Sequence, residues 1–147
     1  MTLAVETVLT PVDGSDTSMR AIEYAVEIAE RYDAGVHALY VVNEETASEA
    51  SFGDVDDSEL AAANEAFIAD AHELAPEDVP LSHSSAYGFS AMTKTRHPGS
   101  VVLDAAEDVE VDFIVIPRQP VSGDPDEPLG RAAEYVLQYA TQPVLSV

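Results

Sequence analysis

Few residues of this chain stand in patterns that do chemistry. Ser15 sits in Gly14-Ser15-Asp16, but no glycine stands two residues beyond it, and the sharp turn that presents a nucleophilic serine requires one. Ser15 is therefore expected to cap a helix. His37, His72, His83 and His97 have no ligand-like spacing to each other or to a carboxylate pair, so no metal centre is expected. His37 alternates within a strand and reads as a packed or edge histidine. His97-Pro98-Gly99 precedes a helix, either as a plain loop or as one that faces a ligand. Cysteine is absent, which removes both a thiolate nucleophile and a disulfide framework. No paired acids stand out among so many solvated carboxylates. No catalytic residue is expected, and the chain is not read as an enzyme.

Asp13 is the remaining polar residue of interest. It closes the apolar run Glu6 to Val12 in the cluster Asp13-Gly14-Ser15, a turn and cap pattern. A carboxylate beside a helix N-terminus is stabilised there whether or not it has a ligand.

The elements around these residues alternate. After the first strand, Asp16 is placed to cap a helix in which Ile22, Ala25, Val26 and Ala29 fall at helical spacing, opposite Arg20, Glu23, Glu27 and Glu30. Gly35 is expected to stop it. Val36 to Val42 is almost continuously apolar, as in a strand buried on both faces. Asn43 to Asp57 is acidic and rich in Ser and Ala, and reads as a mobile loop. Ser58 to Leu74 reads as a helix with Leu60, Ala63, Phe67 and Leu74 on one side. Between Pro76 and Pro80 lies a loop, and Leu81 to Phe89 is a serine-bearing strand expected at a sheet edge. Gly99 or Ser100 opens a helix through Val101, Val102, Ala105 and Ala106. Asp112 to Ile116 is the strongest strand. Pro117 to Leu129 is a loop with four prolines, one glycine and three acids. Arg131 to Ala140 is a helix with Ala133, Val136, Leu137 and Ala140 inward, and Val144 to Val147 is a last strand.

Five strands alternating with four helices predict one α/β domain over residues 1–147, a parallel sheet covered on both faces. Ligands of such sheets bind beyond the carboxyl ends of the strands, where strand order reverses. That places Val12, Asp13, Val42 and Pro117 to Pro120 around one crevice.

Pro11-Val12-Asp13-Gly14-Ser15, followed by Ala21-Ile22-Glu23-Tyr24-Ala25, resembles the opening of universal stress proteins. So does the ending, Gly130-Arg131-Ala132-Ala133-Glu134-Tyr135-Val136 and then Pro143-Val144-Leu145-Ser146-Val147, and Asp112 to Ile116 matches the family's fourth strand. The likeness covers essentially the whole chain in order. It implies a strand order of 3-2-1-4-5 and a homodimer through the last strand, with Val144, Leu145 and Val147 at the paired edge. An apolar edge strand needs covering on physical grounds as well.

The resemblance also implies a test for nucleotide. ATP-binding members of the family carry, after strand four, a glycine, two residues, a second glycine, nine residues and a third glycine followed by Ser or Thr. Backbone N–H groups there close around phosphates. Here the first two positions are Pro117 and Pro120. The third, Gly130, is kept, and Arg131 takes the place of the hydroxyl residue. Each proline removes a donor. Asp124, Asp126 and Glu127 would repel a triphosphate, by about 1 kcal/mol for each close exposed pair. Against this, Asp13 takes the position that contacts the nucleoside in ATP-binding members, and Val42 lies where adenine would sit. Arg118 and Arg131 could replace backbone donors, or simply balance charge. The expectation is a module without cofactor, its ATP motif degraded, acting in stress response or regulation through protein contacts. The alternative is a sensor of a small ligand or nucleotide (ATP or AMP) in the crevice.

Charge bounds the partners. Six Lys and Arg against 28 Asp and Glu give a net charge of −22, while 46% of residues are hydrophobic. That composition folds, so the acids must lie on its surface. Such a field repels nucleic-acid backbones and anionic lipid. Met1 to Thr10 has no basic signal-peptide start, and no apolar run approaches the roughly 20 residues of a membrane span; a cytoplasmic protein is expected. Lys94 is the one lysine. Self-repulsion of this size is tolerable where salt shortens the screening length, to about 3 Å at 1 M, and the expectation is a halophile's protein. Thermal unfolding followed against KCl should show the midpoint falling as salt is withdrawn. Undiminished stability at low salt would refute the halophilic assignment.

Overall fold

The computed structural model describes residues 4–41, 57–86, 98–118 and 128–147. Its elements run β1 (Thr7–Val12), α1 (Asp16–Tyr32), β2 (Gly35–Val41), α2 (Asp57–Leu74), β3 (Leu81–Ala86), α3 (Pro98–Val109), β4 (Phe113–Ile116), α4 (Pro128–Tyr139) and β5 (Val144–Ser146). The five strands form one sheet in the order β3-β2-β1-β4-β5, and every neighbouring pair is parallel. The α/β architecture expected from the alternation is therefore present, with β3 and its serines at one edge.

Alternation along the strands sends side chains into two cores. Val8 and Val12 of β1, with Val36, Ala38 and Tyr40 of β2, pack against Ala21, Ile22, Ala25 and Ala29 of α1 and Phe67, Ile68 and Ala71 of α2. On the other face Leu9, Leu39, Val41, Ile114 and Ile116 meet Val101, Val102 and Ala106 of α3 and Ala132, Ala133 and Val136 of α4. α3 and α4 approach closely at Gly99, where a Cβ would lie 2.6 Å from Tyr135 Cδ1. A side chain there would force the helices apart.

Several boundaries move from their expected places. Ser15, not Asp16, caps α1: its Oγ accepts from Ser18 N at 3.2 Å, and Asp16 is the first helical residue. The far end is closed by Asp33 in the left-handed conformation, φ 57°, with its N–H reaching back to Ala29 O and Glu30 O. An aspartate tolerates that conformation, which leaves Gly35 free to begin β2. Leu74 and Leu137 were expected inward and are 41% and 54% exposed. Neither turns to the core, while Ala75 and Ala140 beyond them do pack on it, and Ile68 and Ala71 complete the α2 face instead. Asp112 precedes β4 and holds the start of β1, its Oδ2 accepting from Glu6 N at 2.9 Å and Thr7 N at 3.1 Å. Leu60 and Ala63 of α2, the loop at about 43–57 as far as residue 56, and the expected strand end at 87–89 lie outside the described residues.

Candidate functional site

A proline sits where the central ladder of the sheet stops. β1 pairs with β2 along its whole length, from Thr7↔Gly35 to Val12↔Tyr40. With β4 it pairs only at Val8↔Phe113 and Leu9↔Ile114. Odd-numbered residues of β1 face β4, as the bond from Asp112 N to Thr7 O shows. Pro11 is the next one after Leu9, and it has no N–H to give. The paired register with β4 stops before it, at the carboxyl-end side of the sheet where strand order reverses and ligands of such sheets bind.

The lip of this crevice is built on Asp13, Gly14 and Ser15. Asp13 is half-buried, and its Oδ1 accepts from Ser15 N at 2.9 Å, the turn geometry expected of an acid before a helix. Its backbone oxygen accepts from the Tyr40 hydroxyl at 3.2 Å. Gly14 makes that contact feasible, because it has φ 87° and a Cβ on it would overlap the Tyr40 hydroxyl. Tyr40 is 8% exposed and sits edge-on to Phe67, ring centroids 6.0 Å apart. Burial, and then the Asp13 carboxylate, push its phenol pKa up, so the group stays protonated and donating. Sequence reasoning passed over Tyr40. The available signal was a tyrosine in a largely aliphatic, doubly buried strand, since a buried phenol needs an acceptor.

The other expected site residues are not all gathered here. Val12 is fully buried among core side chains, so it offers the crevice backbone only. Arg118 is exposed but turned to the neighbouring edge, its N donating to Val147 O at 2.6 Å and its Nη2 to Ser146 O at 3.4 Å. Pro117 is buried directly after β4. Gly130 is in the first turn of α4, which begins with Pro128, a residue well suited to a first helical position. Val42, His97, Pro120, Asp124, Asp126 and Glu127 lie outside the described residues, as does the side chain of Arg131. At the edge, Val144, Leu145 and Val147 are each half-buried and packed on the two cores.

A second polar cluster lies at the β2–β3 edge. His37 is 8% exposed, as the packed-histidine reading requires. Its Nδ1 is 2.8 Å from Ser82 Oγ and its Nε2 2.8 Å from Ser84 Oγ. Burial, and then His83, push its pKa down. Among the described residues no group of three His, Cys, Asp or Glu is placed to hold a metal ion, and no helix is long and apolar enough to cross a membrane.

Comparison with known proteins bears on the family and the fold. The chain matches the model of the universal stress protein family over residues 4–147. It is 29% identical over 146 residues to a universal stress protein of Methanocaldococcus jannaschii, covering 95% of this chain and 80% of that one. The structure of universal stress protein UspA from Lactobacillus plantarum superposes with a TM-score of 0.75 at 26% identity, covering 99% of both chains. A universal stress protein in complex with cAMP superposes at 0.69 with 20% identity, covering 99% of this chain and 98% of that one.

The environment of His37 gives stability a pH dependence of definite sign. Its pKa in the folded chain lies below the ordinary 6.5, so the unfolded chain binds more protons as pH falls through that value. The contribution is complete above the ordinary pKa and is lost as pH falls through it. Urea midpoints at about pH 7.5 and about pH 5.5 should differ less in His37→Gln than in the natural chain. An equal difference would refute the linkage.

Proposed function

The chain belongs to the universal stress protein family, and from that membership we propose that it serves as a stress-response or regulatory module, a homodimer that acts through protein contacts with no bound cofactor and no ATPase activity. The observation that carries this reading is the start of the loop after β4. Its first residue, Pro117, has no N–H. The N–H of its second, Arg118, already belongs to Val147 O, and that residue's guanidinium bonds Ser146 O. Two donors that a phosphate would need are thus missing or spent on β5. Pro120, Arg131 and the acids Asp124, Asp126 and Glu127 work in the same direction by their chemistry.

A second reading has its own support. A neighbour of the same fold is a complex with cAMP, and here Asp13 presents a half-buried carboxylate on a turn held by Tyr40. On this reading the crevice takes a nucleotide or another small metabolite. Asp13 would meet its polar end, with the backbone of Val12 and Val42 beside its flat face and Gly130 and Arg131 at the start of α4 near any anion. Arg118 would first have to leave β5.

Nucleotide recovered from purified, denatured protein separates the two. The expected result is none, with no thermal shift on adding ATP and Mg²⁺. Stoichiometric ATP or AMP would establish the sensor instead. The triple variant Pro117→Gly, Pro120→Gly, Arg131→Ser should gain nucleotide affinity by about tenfold or more, since it restores two backbone donors and a hydroxyl at about 1 kcal/mol each. Unchanged binding would mean that the loop is not what closes the site.

Dimerisation has a separate test. Pro143 O and the N–H of Val147 are used by β4, so by strand alternation the Ser146 N–H faces away from the sheet. Ser146→Pro removes that outward donor and spares the internal ladder. Light scattering should show a shift toward monomer in the variant with its fold retained. A natural chain already monomeric at high concentration would refute the dimer.

A further inference from the structure

The His37 cluster has the arrangement of a nucleophile, a base and a group that orients the base. A neutral imidazole has one nitrogen that donates and one that accepts, so one of its two serine partners accepts and the other donates. Both oxygens lie 2.8 Å from the ring. The two serines differ in what stands in front of them. Ser84, with Leu39, Ser85, Val101 and Ala105, lines an open cavity of about 450 Å³ between β3 and α3, and Ser82 does not. The rim of that cavity carries Asp104, Glu107 and Asp108.

We propose that Ser84 is a reactive hydroxyl that accepts an acyl group from small, neutral or cationic activated esters, with His37 as its general base and Ser82 holding the imidazole in place. Ser82 Oγ accepts from Nδ1–H, which leaves Nε2 as the acceptor of the Ser84 proton. As Ser84 Oγ bonds to the carbonyl carbon, its proton passes to His37 Nε2. The ester C–O bond breaks, and the departing alcohol takes that proton from the ring. An ester and a serine become an acyl-serine and an alcohol, with nothing oxidised or reduced. Burial holds His37 neutral at ordinary pH, as a base must be. The three acids select against anionic donors by repulsion. This site is separate from the crevice and does not depend on whether that crevice binds nucleotide.

The test uses the full chain and p-nitrophenyl acetate, reading phenolate release and mapping the adduct by peptide mass spectrometry. The expected result is one acetyl group on Ser84, none in Ser84→Ala, and a rate about a hundredfold lower in His37→Gln. Ser82→Ala, a change at an exposed edge position, should slow acetylation with the fold retained, and it carries the base-orienting claim if His37→Gln does not fold. The midpoint of the rise in rate with pH should lie below the ordinary imidazole value of 6.5. No adduct, an adduct elsewhere, or equal acetylation of Ser84→Ala would overturn the proposal. An ester with a quaternary ammonium group should react faster than its carboxylate counterpart, and the reverse order would overturn the substrate class.

Discussion

Burial of β1 on both faces is the constraint on which the molecule rests. Val8, Leu9, Thr10, Pro11 and Val12 are all removed from water, and the strand feeds both cores, Val8 and Val12 entering one and Leu9 the other. Such a strand has to satisfy its backbone through its two neighbours, because no water reaches it. β2 does so throughout. β4 does so for two register positions and is then released by Pro11. The paired register of β1 with β4 thus ends just short of a residue with no N–H to give, beside the place where strand order reverses. The strand also carries a cost. The Thr10 hydroxyl is buried with no partner among the described residues, a penalty of about 1–3 kcal/mol that surrounding apolar burial must offset.

Strands β2 and β5 bear on the crevice in different ways. β2 supplies Tyr40, whose hydroxyl fixes the carbonyl of Asp13 and so the direction of the lip. β5, acting across β4, draws Arg118 away from the lip through both its N–H and its guanidinium. One interaction shapes a place where a ligand could rest, and the other removes the cation that would greet an anionic one. Among the described residues the lip thus presents the Asp13 carboxylate while Arg118 is held at β5, within a chain of net charge −22.

Much of the fold is legible in the sequence, and the gaps have physical reasons. The faces of α1 and of the first turns of α3 follow from helical spacing, and the edge position of β3 from its serines. Spacing fails at Leu74 and Leu137, because residues at the margin of a helical stripe are assigned by packing alone, and here Ala71 with Ala75 and Val136 with Ala140 take the core side. The caps slip by one or two residues, since Ser15, Asp16, Asp33 and Gly35 are all competent and only tertiary bonds choose among them. Asp13 is visible as a turn acid. The bond that orients it comes from Tyr40, 27 residues away, and no local pattern records that. His37 reads as a packed histidine, while the identity of its partners depends on the register of β2 with β3, which places Ser82 directly beside it.

The two outer strands of the sheet differ in kind. β3 presents the exposed serines Ser82, Ser84 and Ser85, two of them tied to His37, whereas β5 presents Val144, Leu145 and Val147. Association through open strands propagates when both margins are dry, each new copy exposing another margin to the next. Here the joining of two copies at β5 would leave the serine-bearing β3 margins outside, with Ser82 and Ser84 already tied to His37. A continuous sheet made from this chain would thus end at ten strands, and the wetness of β3 sets that limit.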